Sequence, residues 1–128
     1  MQRLVFLLSL ALSACVTYQV KSDGIVRARL GEAATLGQVT VVPLKLLEDS
    51  RCPAVVQCVW AGRVRIEARL GTGVEPQLHE LTGGQPLTLS GGTLELVEVE
   101  PEAKPDRTIY PEDYRFGFRF RRGDQPAF

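Results

Sequence analysis

The sequence predicts an all-β domain, an antiparallel β-sandwich or small barrel of about seven strands. Three observations predict it. Short segments alternate apolar and polar residues with a period of two, the pattern of half-buried strands. Turn-forming Gly, Pro, Ser and Asp punctuate them every ~8–12 residues. Beyond the first residues, no stretch repeats its apolar positions with the 3.6-residue period of an amphipathic helix.

Residues 24–30 set Val26, Ala28 and Leu30 against Arg27 and Arg29. Residues 36–47 are denser in apolar side chains and read as a central strand; Pro43, which has no N–H to donate, marks a bulge or an edge there. In residues 63–70, Val64, Ile66, Ala68 and Leu70 oppose Arg63, Arg65, Glu67 and Arg69. Residues 77–81 and 86–89 are short strands around a Gly83-Gly84 turn. Ser90-Gly91-Gly92 turns into a strand over 93–100, whose alternation changes phase near Val97, the sign of a bulge. Residues 101–111 hold three prolines and mixed charge, and read as an exposed loop. The last strand is the clearest. In YRFGFRF, Tyr114, Phe116, Phe118 and Phe120 share one face, and Arg115, Gly117, Arg119 and Arg121 the other. Phe116 and Phe118 are therefore expected in the core, with Arg115 and Arg119 exposed.

The chain opens MQRLVFLLSLALSAC: one basic residue, a short apolar run, then small residues. That is the composition of a secretory signal, and the run is about half the ~20 residues that a membrane-spanning helix needs. Leu12-Ser13-Ala14-Cys15 resembles the lipobox of bacterial lipoproteins. The resemblance implies cleavage before Cys15, a diacylglycerol on its thiol and acylation of the new amino terminus. Two or three acyl chains anchor a protein stably. Val16 stands where an aspartate commonly retains lipoproteins at the inner membrane, so the resemblance implies the outer membrane if the host is Gram-negative. The expected layout is a signal peptide over 1–14, a lipidated terminus and tether over 15–23, one β domain over 24–122 and a tail over 123–128. Residues 15–128 are enough for one domain with a real core. Removing residues 1–14 takes away only Arg3 among the charges, leaving 14 basic and 15 acidic side chains. So even a balance has no footprint for nucleic acid.

The stretch EDSRCPAVVQCVWAG holds the other two cysteines, Cys52 and Cys58. With Cys15 lipidated they remain as a pair, and an oxidising envelope favours a disulfide. It would clasp a connection between two strands, with Trp60 packed beside it. Other chemistries lack their ligands. A zinc site wants about four, and the chain adds only one histidine, His79, far away. Thioredoxin-like redox chemistry wants two residues between the cysteines and a helix after the first. No metal and no cofactor are expected. The segment DSRCPAVVQCVWAGRVRI also resembles a recurrent signature of small secreted and lipidated bacterial proteins. That likeness spans residues 36–121, carries no established activity and names no substrate.

The remaining polar residues give no catalytic pattern. His79 has no G-x-S-x-G serine to serve, and the strand glutamates Glu95, Glu98 and Glu100 read as a solvated face. Arg122-Gly123-Asp124 spells the integrin-binding tripeptide, a match that arises easily by chance. Arg63, Arg65 and Arg69 form one row of basic side chains and Arg115, Arg119 and Arg121 another. If their strands adjoin, they make a single stripe for an anionic partner; if the glutamates of residues 93–100 lie opposite, they are neutralised as cross-strand pairs. The sequence thus leads to a non-enzymatic, lipid-anchored envelope protein that binds an envelope protein or polymer or serves a structural role. The alternative is a protease inhibitor presenting the Cys52–Cys58 loop.

Overall fold

The computed structural model describes residues 24–53, 56–59, 62–71 and 75–123; Cys15, Trp60 and Asp124 lie outside them. The described residues form eight strands: β1 (Val26–Ala28), β2 (Ala34–Leu36), β3 (Val39–Asp49), β4 (Val64–Gly71), β5 (Gln77–Thr82), β6 (Leu87–Leu89), β7 (Gly92–Glu100) and β8 (Arg115–Arg122). They make two antiparallel four-stranded sheets, β1-β8-β7-β6 and β2-β3-β4-β5. The sandwich is therefore the correct one of the two expected architectures, since neither sheet closes on itself. The eighth strand is β2. Gly37, at φ 63°, turns the chain where sequence reading began a single long strand, so residues 34–36 fold back on β3. A positive φ is available to glycine at little steric cost.

Period-two alternation sorts the core. β4 buries Val64, Ile66, Ala68 and Leu70, and β8 buries Phe116 and Phe118, with Leu94 and Leu96 from β7 beside them. These side chains from the two sheets form one apolar cluster with Val39, Val41 and Leu81. Arg115 is exposed as expected; Arg119 is half-buried. Both expected bulges are present. β3, an interior strand, shifts register between Pro43 and Lys45 and again between Leu46 and Glu48, and β7 shifts between Leu96 and Glu98.

The β7 bulge has a structural consequence. With Val97 displaced from the ladder, Glu98 rather than Val97 faces Gly117, and Gly117 faces Arg27 on its other side. A Cβ at position 117 would stand 2.8 Å from both the Glu98 Cβ and the Ile25 Cγ2. The bare backbone lets Arg27 reach across β8 and donate from Nη2 to Glu98 Oε2 at 2.8 Å. Gly117 is accordingly buried, although it sits on the outer face.

Both crossovers between the sheets are tied down by backbone bonds. After β1, Gly31 N–H donates to the Pro43 carbonyl at 2.7 Å, and after β5, Gly84 N–H donates to the Leu96 carbonyl at 3.1 Å. Burial of Phe118 between the sheets predicts that Phe118→Ala lowers unfolding free energy by about 3–5 kcal/mol. Chemical denaturation reads this directly, and a loss under ~1 kcal/mol would contradict the inward placement of this ring.

Candidate functional site: the disulfide-clasped loop end

At one end of the sandwich β3 stops, β4 starts, β7 stops and β8 starts. The β3–β4 loop leaves from this end. Its base is an ion cluster built by the D-S-R-C-P stretch. Arg51 donates from Nε to Asp49 Oδ1 at 2.8 Å and from Nη2 to Oδ2 at 2.9 Å. This is the two-pronged geometry that a guanidinium shares with a carboxylate. Residues 49 and 51 lie on the same side of an extended chain, which brings their side chains together. Tyr114, at the entrance to β8, donates its hydroxyl to Asp49 Oδ2 at 2.7 Å, and Arg51 Nη1 donates to the Val99 carbonyl at 3.1 Å. The Tyr114 ring is buried and stacks on Phe116 with centroids 5.6 Å apart. One carboxylate thus ties β3, in one sheet, to β7 and β8 in the other.

Burial alone would raise the Asp49 carboxyl. The hydrogen bonds from Arg51 and Tyr114 outweigh it and hold Asp49 below the ordinary carboxylate range. Tyr114 moves the other way: burial first, then its bond to Asp49, pushes its hydroxyl up to about 12. The hydroxyl must stay protonated to make this bond.

The loop's other end is held as firmly. Ser50 N–H donates to the Arg63 carbonyl at 2.9 Å, and Arg63 N–H donates to Ser50 Oγ at 3.1 Å. Gly62 lies so close to the Ser50 carbonyl that no side chain fits there. This is the physical role of the glycine that closes C-V-W-A-G. Within the loop, Cys52 and Cys58 form a disulfide with their Cα atoms 6.0 Å apart. Val56 N–H donates to the Pro53 carbonyl at 3.0 Å. Among the described residues of the loop, two large apolar side chains are left in solvent: Val56 is 42% exposed and Val59 95% exposed. Tyr110, on the neighbouring β7–β8 loop, is 59% exposed.

The arginine rows are separated. Arg65 and Arg69 lie on β4, with Arg63 just before it, in one sheet, and Arg115, Arg119 and Arg121 lie on β8 in the other, so they do not form one stripe. Arg63 and Arg65 are paired. Both donate from Nε to Glu48 Oε2, at 2.7 and 2.9 Å, and Arg65 Nη1 reaches Glu80 Oε1 at 2.6 Å. Those bonds, Arg65's first and then Arg63's, hold Glu48 below its usual range. The partners are thus on the flanking strands β3 and β5, not on β7. Arg69 is exposed and faces Val42 and Leu78 across the ladder. On the other sheet, Glu100 stands opposite Arg115 and Glu95 opposite Arg119.

Beside the loop end, a groove of about 820 Å³ is lined by Glu98, Glu100, Glu102, Glu112, Arg107 and Arg115, among others. Glu98 hydrogen-bonds Glu100 and, with burial and its own charge, pushes the Glu100 carboxyl up. Among the described residues, no group of three or more His, Cys, Asp and Glu side chains is placed to hold a metal ion. His79 is half-buried on β5, opposite Ala68.

Sequence reading found the disulfide and missed the Asp49–Arg51–Tyr114 cluster. The signal present was the acid–arginine spacing of two immediately before Cys52; the tyrosine lies 65 residues away and nothing local marks it. No protein-family model matches this chain, and no curated protein or solved structure matches it either.

Two predictions follow from this geometry. The folded-state pKa of Tyr114 lies above the unfolded value of about 10. Its contribution is therefore complete below pH ~10 and is lost as pH rises towards about 12. Urea denaturation against pH should show that alkaline decline in the native protein. Tyr114→Phe should lose roughly 1.5 kcal/mol at neutral pH, as for a hydrogen bond to a charged group, and should flatten the decline. An equally steep limb in the variant would assign it elsewhere. For the loop, reduction or a paired Cys52→Ser and Cys58→Ser substitution should cost roughly 2 kcal/mol, the chain-entropy value for a ring of this length. Chelators should have no effect, and free thiols should be undetectable at positions 52 and 58 without reductant.

Proposed function

We propose that the protein is a non-enzymatic cell-envelope lipoprotein. Its β-sandwich, tethered through acylated Cys15, binds an envelope protein through the loop end built on Cys52–Cys58. The observation that carries this reading is the contrast within the loop. Its base is pinned by the disulfide, the Arg51 fork and the Ser50–Arg63 pair, while Val56 and Val59 stand in solvent. Apolar groups on a pre-ordered loop lose little conformational entropy on binding, which is how a small surface gains affinity. The reading assigns no catalysis, cofactor or metal.

Protease inhibition by the same loop is the second reading, and the exposure of Val56 favours it. Against it stands the Val56 N–H bond to Pro53. A protease cleft takes an inhibitor in extended form, and a bond that draws Val56 back to Pro53 fits docking on a surface better.

Two measurements test the proposal. A clickable fatty acid fed to the host should label the protein, and Cys15→Ala should abolish the label; labelling that survives would remove the lipoprotein half. Envelope extracts passed over immobilised protein should retain a partner that a Val56→Asp, Val59→Asp variant binds at least tenfold more weakly, given about 1.5–3 kcal/mol for each buried aliphatic side chain. Both residues are exposed, so the variant should melt like the parent. Equal retention by both forms would place the binding surface elsewhere.

A further inference from the structure

The end of the sandwich opposite the disulfide loop carries a different charge pattern. β8 runs away from the loop end and finishes with Arg119, Arg121 and Arg122. These three line a recess of about 230 Å³ with Thr93, Glu95 and Gly123. Among the described residues, one carboxylate, Glu95, lines this recess with the three guanidiniums. The cross-strand partners of Arg121 and Arg122 are Thr93 and Gly92, which carry no charge. Among the described residues, none of the three makes an ion pair. The arginines nearer the loop end behave otherwise: Arg51 holds Asp49, Arg63 and Arg65 hold Glu48, and Arg27 holds Glu98. Arg107 and Arg115 lie there among the carboxylates of the large groove. Among the described residues the domain is thus polarised, with basic side chains in excess at one end of the outer β7–β8 face and acidic ones at the other.

The topology relates this polarity to the chain's entry. β1 pairs antiparallel with β8, from Val26 opposite Phe118 to Ala28 opposite Phe116. Its N-terminal side therefore lies towards the half of β8 that carries Arg119–Arg122, and its C-terminal side towards the disulfide loop. From this, and resting on the lipid tether proposed above, we infer that Arg119, Arg121 and Arg122 form a docking surface for the anionic headgroups of the bilayer that holds the anchor. Guanidiniums stay charged at any physiological pH and grip phosphate oxygens in two-pronged fashion. Basic side chains close to an anionic bilayer each strengthen attachment severalfold. With its basic end on the membrane, the domain holds Val56 and Val59 at the far end, directed at a partner.

The test uses the envelope-purified protein and two kinds of vesicle, phosphatidylcholine alone and phosphatidylcholine with one-third phosphatidylglycerol. Flotation is read at low and at roughly 1 M salt, where the screening length is about 3 Å. Amide exchange is read over residues 119–123. The expected result is flotation with both vesicles at either salt, through the anchor. Exchange at 119–123 should slow severalfold on the anionic vesicles only, and should return to the neutral-vesicle rate at high salt or in an Arg119→Gln, Arg121→Gln, Arg122→Gln variant. Flotation with both vesicles but equal exchange on each would overturn the docking surface and leave the anchor standing. Flotation with anionic vesicles alone, reversed by salt and lost in the triple variant, would do the opposite. Flotation with neither would overturn both. The three arginines end a strand outside the core, so the variant should fold, and circular dichroism checks that it does.

Discussion

The carboxylate of Asp49 is the constraint on which the loop end depends. It accepts both prongs of Arg51 and the hydroxyl of Tyr114, and Arg51 passes the connection on to the Val99 carbonyl. A half-buried carboxylate is costly unless its oxygens are satisfied. Here the satisfying groups come from both sheets, so the cost is met only when the sheets are correctly aligned. Apolar packing between the sheets is comparatively tolerant of sliding. A charge-assisted triad with bonds of 2.7–2.9 Å is not. The starting point of the disulfide loop is fixed as a result, because Cys52 follows Arg51 directly.

The same residue type does three jobs on this molecule, and cross-strand register decides which. Arg65 stands between Glu48 and Glu80 and is neutralised on an exposed face, where such pairs contribute little stability. Arg27 reaches over Gly117 to Glu98, and this pair exists because the β7 bulge moves Glu98 into place and a glycine leaves room. Arg121 and Arg122 face uncharged Thr93 and Gly92, so their charge is directed outward. A chain with no net formal charge can thus carry strongly local charge. The overall balance says nothing about the ends.

The strands were legible wherever alternation was clean, as in β4 and β8. They were less so where glycine intervened: Gly37 turns the chain at the start of the strand expected over 36–47, and β2 before it was not foreseen. The two bulges were legible because each left a local mark, a proline in β3 and a change of phase in β7. In the site, the disulfide was legible as the pair that remains if Cys15 is lipidated in an oxidising envelope. The ion cluster was not, because Tyr114 joins Asp49 only after the sheets stack. The buried state of Gly117 was also hidden, since the outer-face assignment is correct and the covering side chains come from β1 and β7.

By itself the sequence determined the all-β class, the inward face of each long strand and the pairing of Cys52 with Cys58. The first two follow from period and composition, which act between near neighbours along the chain; the third rests on the cysteine count once Cys15 is expected to be lipidated. Only the tertiary structure decided that the two arginine rows belong to different sheets, that Asp49, Arg51 and Tyr114 meet, and that the loop end and the basic end lie opposite one another. Each of those depends on strand order and register. Strand order and register are set by the packing of residues far apart in the chain, as in the pairing of Val26 with Phe118, 92 positions on, and no local pattern encodes them.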